Sequence, residues 1–161
     1  MARRIDPARA GATRGRVVNH DELVVRTEIH HLLATIALTC DWGTIEEYLE
    51  LLHTDAVWEM PANTDLGLPA TRSAGHAEVS AGVRERRALG LQGPGSHTLH
   101  VVASSAITIA SANEASARSA WLYYARVDGS LKLNSAGRYD DRFVRDQGGP
   151  WRLRHRTVAF I

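Results

Sequence analysis

The sequence predicts an α+β fold in which three N-terminal helices close a pocket inside a cone-shaped, curved and mostly antiparallel sheet. Two observations lead to this prediction. Helical spacing dominates the first half of the chain, and from residue 96 onward the pattern changes to long strands separated by turn residues. Helices followed by a meander of strands are typical of the α+β class. A curved sheet whose concave face is covered by helices encloses a space suited to a small ligand.

The first helix is predicted to begin at Asn19 or Asp21, because both residue types are good N-caps. Residues 41–43 should end it. The sequence from Thr44 to Glu47 is a capping box, which predicts a second helix from Thr44 to about His53. Six residues of the first helix approximate a helical stripe: Leu23, Val24, Thr27, His31, Ala34 and Leu38. Ile29, Leu32, Leu33 and Ile36 broaden it, which predicts a helix buried on much of its circumference.

The remaining elements follow from the positions of proline and glycine. A short strand over Asp55–Met60 should stop at Pro61, because proline cannot donate to a sheet ladder. A loop is expected over Asn63–Ser73 and a third helix over Gly75–Leu89. Four strands are then predicted, over about Ser96–Ala110, Ser116–Asp128, Lys132–Arg145 and Trp151–Ile161.

Composition limits the classes of function. The 161 residues suggest one domain, over residues 19–161, preceded by a basic arm over residues 1–18. A formal charge of +1 gives no electrostatic case for binding nucleic acid. The single cysteine, Cys40, cannot form an internal disulfide, so a cytoplasmic location is expected. No apolar run approaches the roughly 20 residues of a membrane span, so no membrane association is expected.

The strand around His100 organises the candidate site. Alternation places His100, Val102 and Ser104 on one face, where an imidazole beside small residues suits the wall of a pocket. The alternative is a hydrogen-bonded structural histidine. His97 lies three residues earlier and should face the other side, and no Cys/His cluster is visible, so neither a metal nor a cofactor is expected.

Five segments carry a resemblance to a known family: residues 40–43, 52–61, 99–104, 137–145 and 151–156. In this order they resemble the SnoaL-like family of the nuclear transport factor 2-like superfamily, which includes scytalone dehydratase, polyketide cyclases and hexachlorocyclohexane dehydrochlorinase. Small subunits of ring-hydroxylating dioxygenases share the fold. The resemblance implies a homodimer or homotrimer with a hydrophobic small-molecule ligand. It also implies a histidine base at His100, oriented by an aspartate near the end of the first helix.

The sequence departs from that family at the expected partner of the histidine. Leu38 stands where the family aspartate is expected, and Ala37 replaces the tyrosine that often precedes it. We therefore predict Asp141 as the replacement partner of His100, because it shares a strand face with Tyr139 that the resemblance turns toward the pocket. The alternative is that Asp141 pairs with one of the many arginines, such as Arg118 or Arg142. Asp65, in the loop over the expected mouth of the pocket, is a second candidate partner of His100.

The resulting prediction is an enzyme that acts on a hydrophobic cyclic or polyketide-like molecule by proton transfer, in a dehydration, cyclisation or isomerisation. His100 would be the base, Asp141 its orienting acid and Tyr139 a hydrogen-bond donor to the substrate. The alternative is a non-catalytic ligand-binding or assembly subunit, which the residues at positions 37 and 38 favour. Residues predicted to contact the ligand are Trp58, Met60, Asp65, Val102, Ser104, Trp121, Tyr123 and Phe143.

Overall fold

The computed structural model describes residues 20–161; the predicted basic arm and Asn19 lie outside these residues. The described chain is an α+β fold, as predicted, with three helices and six strands. The helices are α1 (His20–Trp42), α2 (Ile45–Glu50) and α3 (Gly75–Ala88). The strands are β1 (Leu52–Met60), β2 (Thr71–Ala74), β3 (Thr98–Ile109), β4 (Glu114–Val127), β5 (Ser130–Val144) and β6 (Arg152–Phe160).

The six strands form one curved sheet in the order β2-β1-β6-β5-β4-β3. Strands β1 and β6 pair in parallel, and every other neighbouring pair is antiparallel. Helix α1 packs against β3, and α3 packs against β1 and β2. Strand β3 is therefore an edge strand that is covered by α1, which brings the end of that helix next to the start of the strand.

The buried face of α1 is only part of the predicted one. Leu23 and Leu38 are each 53% exposed, so the centre of the predicted stripe points largely to the surface. The residues predicted to broaden the stripe, Ile29, Leu32, Leu33 and Ile36, are the ones that are buried. The i, i+4 series through Ile29, Leu33 and Ala37 ends at the buried Asp41.

The prediction that no segment is apolar enough for a membrane span is wrong for helix α1. By length and composition, residues His20–Trp42 pass that test. The core helix of a soluble protein passes it too, and here Ile29, Leu32, Leu33 and Ile36 are buried against the rest of the fold. The helix therefore gives only weak evidence for a membrane.

The region between α2 and α3 contains two further corrections. Strand β1 begins at Leu52, so His53 belongs to it and not to the second helix. Residues Thr71–Ala74, predicted as loop, form a short edge strand that pairs with the end of β1. A four-residue strand is too short to give a clear alternating pattern in the sequence. The capping box that starts α2 is confirmed, with reciprocal hydrogen bonds between Thr44 and Glu47.

A close backbone approach on β5 positions one wall of the cone. Gly137 on β5 faces inward opposite Trp121 on β4. A Cβ atom built on Gly137 would overlap the carbonyl oxygen of Ala159 on β6 and lie 2.7 Å from Cζ2 of Trp121. The absence of a side chain at Gly137 therefore lets the Trp121 ring lie against the sheet, where it stacks with Tyr139 and meets Phe160 edge-on.

We expect Gly137→Ala to destabilise the fold by about 1–3 kcal/mol, because an added methyl group must displace either the β6 backbone or the Trp121 ring. Urea unfolding followed by tryptophan fluorescence measures this change. Gly149→Ala is the matched control, since its Cβ would meet atoms no closer than 3.5 Å. Equal unfolding midpoints for the two variants would contradict the steric account.

Candidate functional site

A cavity of about 560 Å³ lies between the concave face of the sheet and the helices. Its lining is mostly apolar and aromatic, with contributions from α1, α2, α3, the segment after α3 and all six strands of the sheet. Polar side chains project into it at a few places, which include Cys40, Gln92, His100 and Arg156. A largely apolar cavity with a few polar groups is the usual form of a site for a small organic molecule.

The central feature of the cavity is a hydrogen-bonded pair formed by Asp41 and His100. The Nδ1 atom of His100 lies 2.7 Å from Oδ1 of Asp41. The Asp41 side chain is fully buried, whereas the His100 side chain is 19% exposed. Because Nδ1 faces the carboxylate and the ring lines the cavity, Nε2 is the ring nitrogen available to a bound molecule.

The fold supplies this carboxylate from the last turn of α1. Since β3 is an edge strand, some of its backbone N–H groups have no neighbouring strand to pair with. The N–H of His100 donates to Oδ2 of Asp41 over 2.6 Å, and the Thr98 hydroxyl donates to Oδ1 over 3.4 Å. Asp41 therefore completes the edge of the sheet and fixes the imidazole at the same time.

The electrostatic environment favours the protonated imidazole. Burial of the ring lowers the pKa of His100, but the hydrogen bond that the ring donates to Asp41 and the nearby Cys40 sulfur outweigh this effect. The pKa of His100 is raised from 6.5 to about 9. A buried carboxylate hydrogen-bonded to an imidazole is the arrangement that increases the basicity of a catalytic histidine.

The predicted pairing of Asp141 with His100 is not formed. Asp141 does face inward on β5, but both of its oxygens accept hydrogen bonds from Arg156 on β6, each over 2.7 Å. The alternative of an arginine partner is confirmed, and the arginine is Arg156 instead of the examples Arg118 and Arg142. Register explains this result, because Asp141 and Arg156 lie directly opposite each other on adjacent strands.

Arg156, the partner of Asp141, also contacts two aromatic rings that line the cavity. Its guanidinium carbon lies 3.9 Å from the ring centroid of Tyr139 and 5.0 Å from that of Trp58. Burial raises the pKa of Tyr139 to about 12 although Arg156 opposes the shift, so the phenol keeps its proton and can donate. Tyr139 lines the cavity, as predicted, while its role stays a prediction.

The structure brings some of the predicted ligand contacts to the cavity and places the others elsewhere. Asp65 is exposed in the loop after β1, and Phe143 is 1% exposed in the core beneath α1. Neither lines the cavity. The predicted residues that do line it are Trp58, Met60, Val102, Trp121 and Tyr123.

Ser104 is displaced by an irregularity in β3. The register between β3 and β4 shifts between Ala103 and Ala106, and Ser104 has φ of 50°. The bulge reverses the alternation, so that Ile107, and not Ala106, is buried after it. The strict alternation assumed from the sequence therefore holds only from Thr98 to Val102.

Cys40 and Gln92 lie beside the His100–Asp41 pair. The Cys40 thiol donates to Oε1 of Gln92 over 3.4 Å, and Arg86 donates to the same oxygen over 3.1 Å. Potential ligand atoms of Cys40, Asp41 and His100 all lie within 4.8 Å of one another and could hold a metal ion. Within this group, His100 and Asp41 are joined by the 2.7 Å hydrogen bond described above.

Sequence reasoning missed Asp41, Gln92 and Arg156. For Asp41 a signal existed, because it continues the buried i, i+4 series through Leu33 and Ala37, whereas Leu38 belongs to the exposed face. For Arg156 only the register between β5 and β6 carries the information. Nothing in the sequence around Gln92 marks it as a cavity residue.

Comparison with solved structures shows many proteins of the same fold. An NTF2-like protein with a cystatin-like fold from Novosphingobium aromaticivorans is 20% identical, with a TM-score of 0.71 over 90% of this chain and 92% of that one. A putative scytalone dehydratase from the same organism is 20% identical, with a TM-score of 0.70 over 88% and 87% of the two chains. The beta subunit of a putative aromatic-ring-hydroxylating dioxygenase from that organism is 25% identical, with a TM-score of 0.69 over 86% and 90%.

No curated protein matches this sequence. The model of the SnoaL-like domain, by contrast, matches residues 21–157, which is nearly the whole chain. Those residues include α1 with Asp41, β3 with His100 and β6 with Arg156. On this match the chain belongs to the SnoaL-like family, within the NTF2-like fold.

Proposed function

We propose that this protein is an enzyme that removes a proton from a hydrophobic cyclic molecule, in a dehydration, cyclisation or isomerisation. The observation that carries the proposal is the 2.7 Å hydrogen bond between buried Asp41 and His100 at the wall of an apolar cavity. Nε2 of His100 is the base, and Asp41 holds the ring and stabilises the imidazolium that forms.

The rest of the cavity suits such a substrate. Trp58, Trp121 and Tyr123 offer aromatic surface to a flat ring system. The protonated Tyr139 hydroxyl can donate a hydrogen bond to an oxygen of the substrate. The Arg156 charge is balanced by Asp141, so the inner wall is polarised without carrying a net charge.

A second candidate is a non-catalytic assembly subunit. It is favoured by the 25% identity and matching length of the dioxygenase beta subunit, which is described as part of a larger enzyme. In that case the cavity residues would stabilise the fold or hold a ligand, and the function would depend on a partner protein. Such a subunit has no need of a basic imidazole that faces a cavity.

We expect His100 to titrate near pH 9 in NMR spectra of its ring protons, and Asp41→Asn to move that pKa to 6.5 or below. The reason is that the substitution removes the carboxylate that raises the pKa, while the His100 ring stays buried, which lowers the pKa. Because the folded pKa lies above the unfolded value, the charge pair stabilises the fold fully below about pH 6.5. This contribution is lost as the pH rises through about 9.

Asp141→Asn is the matched control for the titration. It also neutralises one buried carboxylate, but that carboxylate bonds to Arg156. The pKa of His100 should therefore stay within about one unit of the wild-type value. A large shift in Asp141→Asn, or none in Asp41→Asn, would contradict the assignment of the pair.

Proton removal can be measured without knowing the natural substrate, as exchange of the α-protons of 2-tetralone for deuterium in D₂O. We expect the protein to accelerate this exchange and His100→Gln to lose about 10²–10⁴-fold of the acceleration. The rate should rise from pH 7 toward pH 9 as the neutral form of His100 increases.

Ser104→Ala is the control for exchange, because Ser104 is exposed and lies outside the cavity lining. Equal exchange rates for wild type and His100→Gln would refute the enzyme proposal. Copurification of the protein with a larger oxygenase subunit, with no catalysis of exchange, would favour the assembly subunit instead.

A further inference from the structure

The cavity contains a possible nucleophile that the proposed proton transfer does not use. Cys40 lines the cavity and is a free thiol; it is also the sole cysteine of the chain. Its sulfur lies within 4.8 Å of a ring nitrogen of His100. An imidazole at this distance, oriented in turn by a carboxylate, is the general arrangement that activates a thiol by taking its proton.

A second, independent observation indicates a bound oxygen beside this thiol. Gln92 is 5% exposed and lines the cavity, and its Nε2 has no hydrogen-bond partner among the described residues. Its Oε1 is occupied by the Cys40 thiol and by Arg86, which fixes the orientation of the amide. A buried amide N–H without an acceptor is costly, and a ligand oxygen in the cavity would satisfy it.

Trp121, on the sheet wall of the same cavity, provides the same kind of evidence. Its ring is 4% exposed and lines the cavity, and Nε1 also has no partner within residues 20–161. Two unpaired donors in one cavity favour a ligand with acceptor oxygens, and neither donor suits a cationic ligand. Together with the apolar walls, they favour an uncharged carbonyl compound.

We propose that Cys40 adds covalently to α,β-unsaturated carbonyl compounds bound in this cavity, with the carbonyl oxygen held by the amide of Gln92. The Cys40 sulfur forms a bond to the β-carbon, and the π bond between the α- and β-carbons breaks. The neutral form of His100 takes the thiol proton and delivers it to the α-carbon. The net step is the addition of S–H across the double bond, so no oxidant or reductant is required.

This inference uses the same His100–Asp41 pair as the proposed function and makes that function more specific. Loss of water from a β-hydroxy carbonyl compound produces an α,β-unsaturated carbonyl compound. The two steps therefore act on chemically related molecules in one cavity. Adduct formation is stoichiometric, however, and can be detected without any turnover.

The test uses 2-cyclohexen-1-one as the probe and intact-protein mass spectrometry as the readout. We expect one adduct per chain, mapped by peptide analysis to Cys40, formed about tenfold faster in the folded protein than in the urea-unfolded chain at the same pH. Methyl methanethiosulfonate, which has no carbonyl group, measures access to the thiol independently. His100→Gln should slow the enone reaction about tenfold or more.

Gln92→Glu tests the proposed carbonyl contact. Glutamate keeps two oxygens that can accept from Cys40 and Arg86, but it has no N–H to donate. We expect the ratio of the enone rate to the methanethiosulfonate rate to fall about tenfold in this variant. Ser104→Ala, which changes an exposed residue outside the cavity, should leave the ratio unchanged.

Three results would overturn the inference. The first is that Cys40 reacts with neither probe, as a thiol packed in the core would. The second is that Cys40 reacts with methyl methanethiosulfonate, but with the enone no faster than in the unfolded chain. The third is that the ratio of the two rates is unchanged in Gln92→Glu. These failures are distinct from failure of the proposed function. Adduct formation without His100-dependent deuterium exchange would support the present inference and refute the proposed proton-transfer enzyme. His100-dependent exchange without adduct formation would support the enzyme and refute the present inference.

Discussion

The carboxylate of Asp41 is the constraint on which the site depends. It lies in the last turn of α1 and accepts hydrogen bonds from the ring of His100, the backbone of His100 and the Thr98 hydroxyl. One buried anion therefore joins the helix to the free edge of the sheet and also orients the imidazole. Because an unpaired buried carboxylate would be strongly unfavourable, these donors and the position of the helix end must be maintained together.

The same constraint explains which part of the site could be predicted from the sequence. The capping box at Thr44 is a local signal, and the boundaries of α3 and of the four long strands follow from glycine, proline and alternating residues. These boundaries were predicted to within two residues, because each depends on neighbours in the chain. The partner of His100 depends instead on how α1 packs against β3, and the resemblance assigned it to Leu38, which is 53% exposed, and not to the buried Asp41.

The other errors have the same physical origin. The partner of Asp141 is determined by the register between β5 and β6, which joins residues 15 positions apart in the chain. The displacement of Ser104 results from a bulge in β3 that reverses the alternation of its faces. Both features concern how strands pair, and a sequence that alternates regularly gives no direct sign of either one.

The charges around the cavity also limit the kind of molecule that can bind there. Protonated His100 is balanced by Asp41, and Arg156 is balanced by Asp141, so each buried cation has its own buried anion. A charged ligand that disturbed one of these pairs would have to lose its hydration and break a buried ion pair. A neutral molecule with acceptor oxygens can bind to the unpaired donors of Gln92 and Trp121 while both ion pairs stay intact. The two ion pairs and the two unpaired donors are therefore suited to the neutral carbonyl compound that we propose as the ligand.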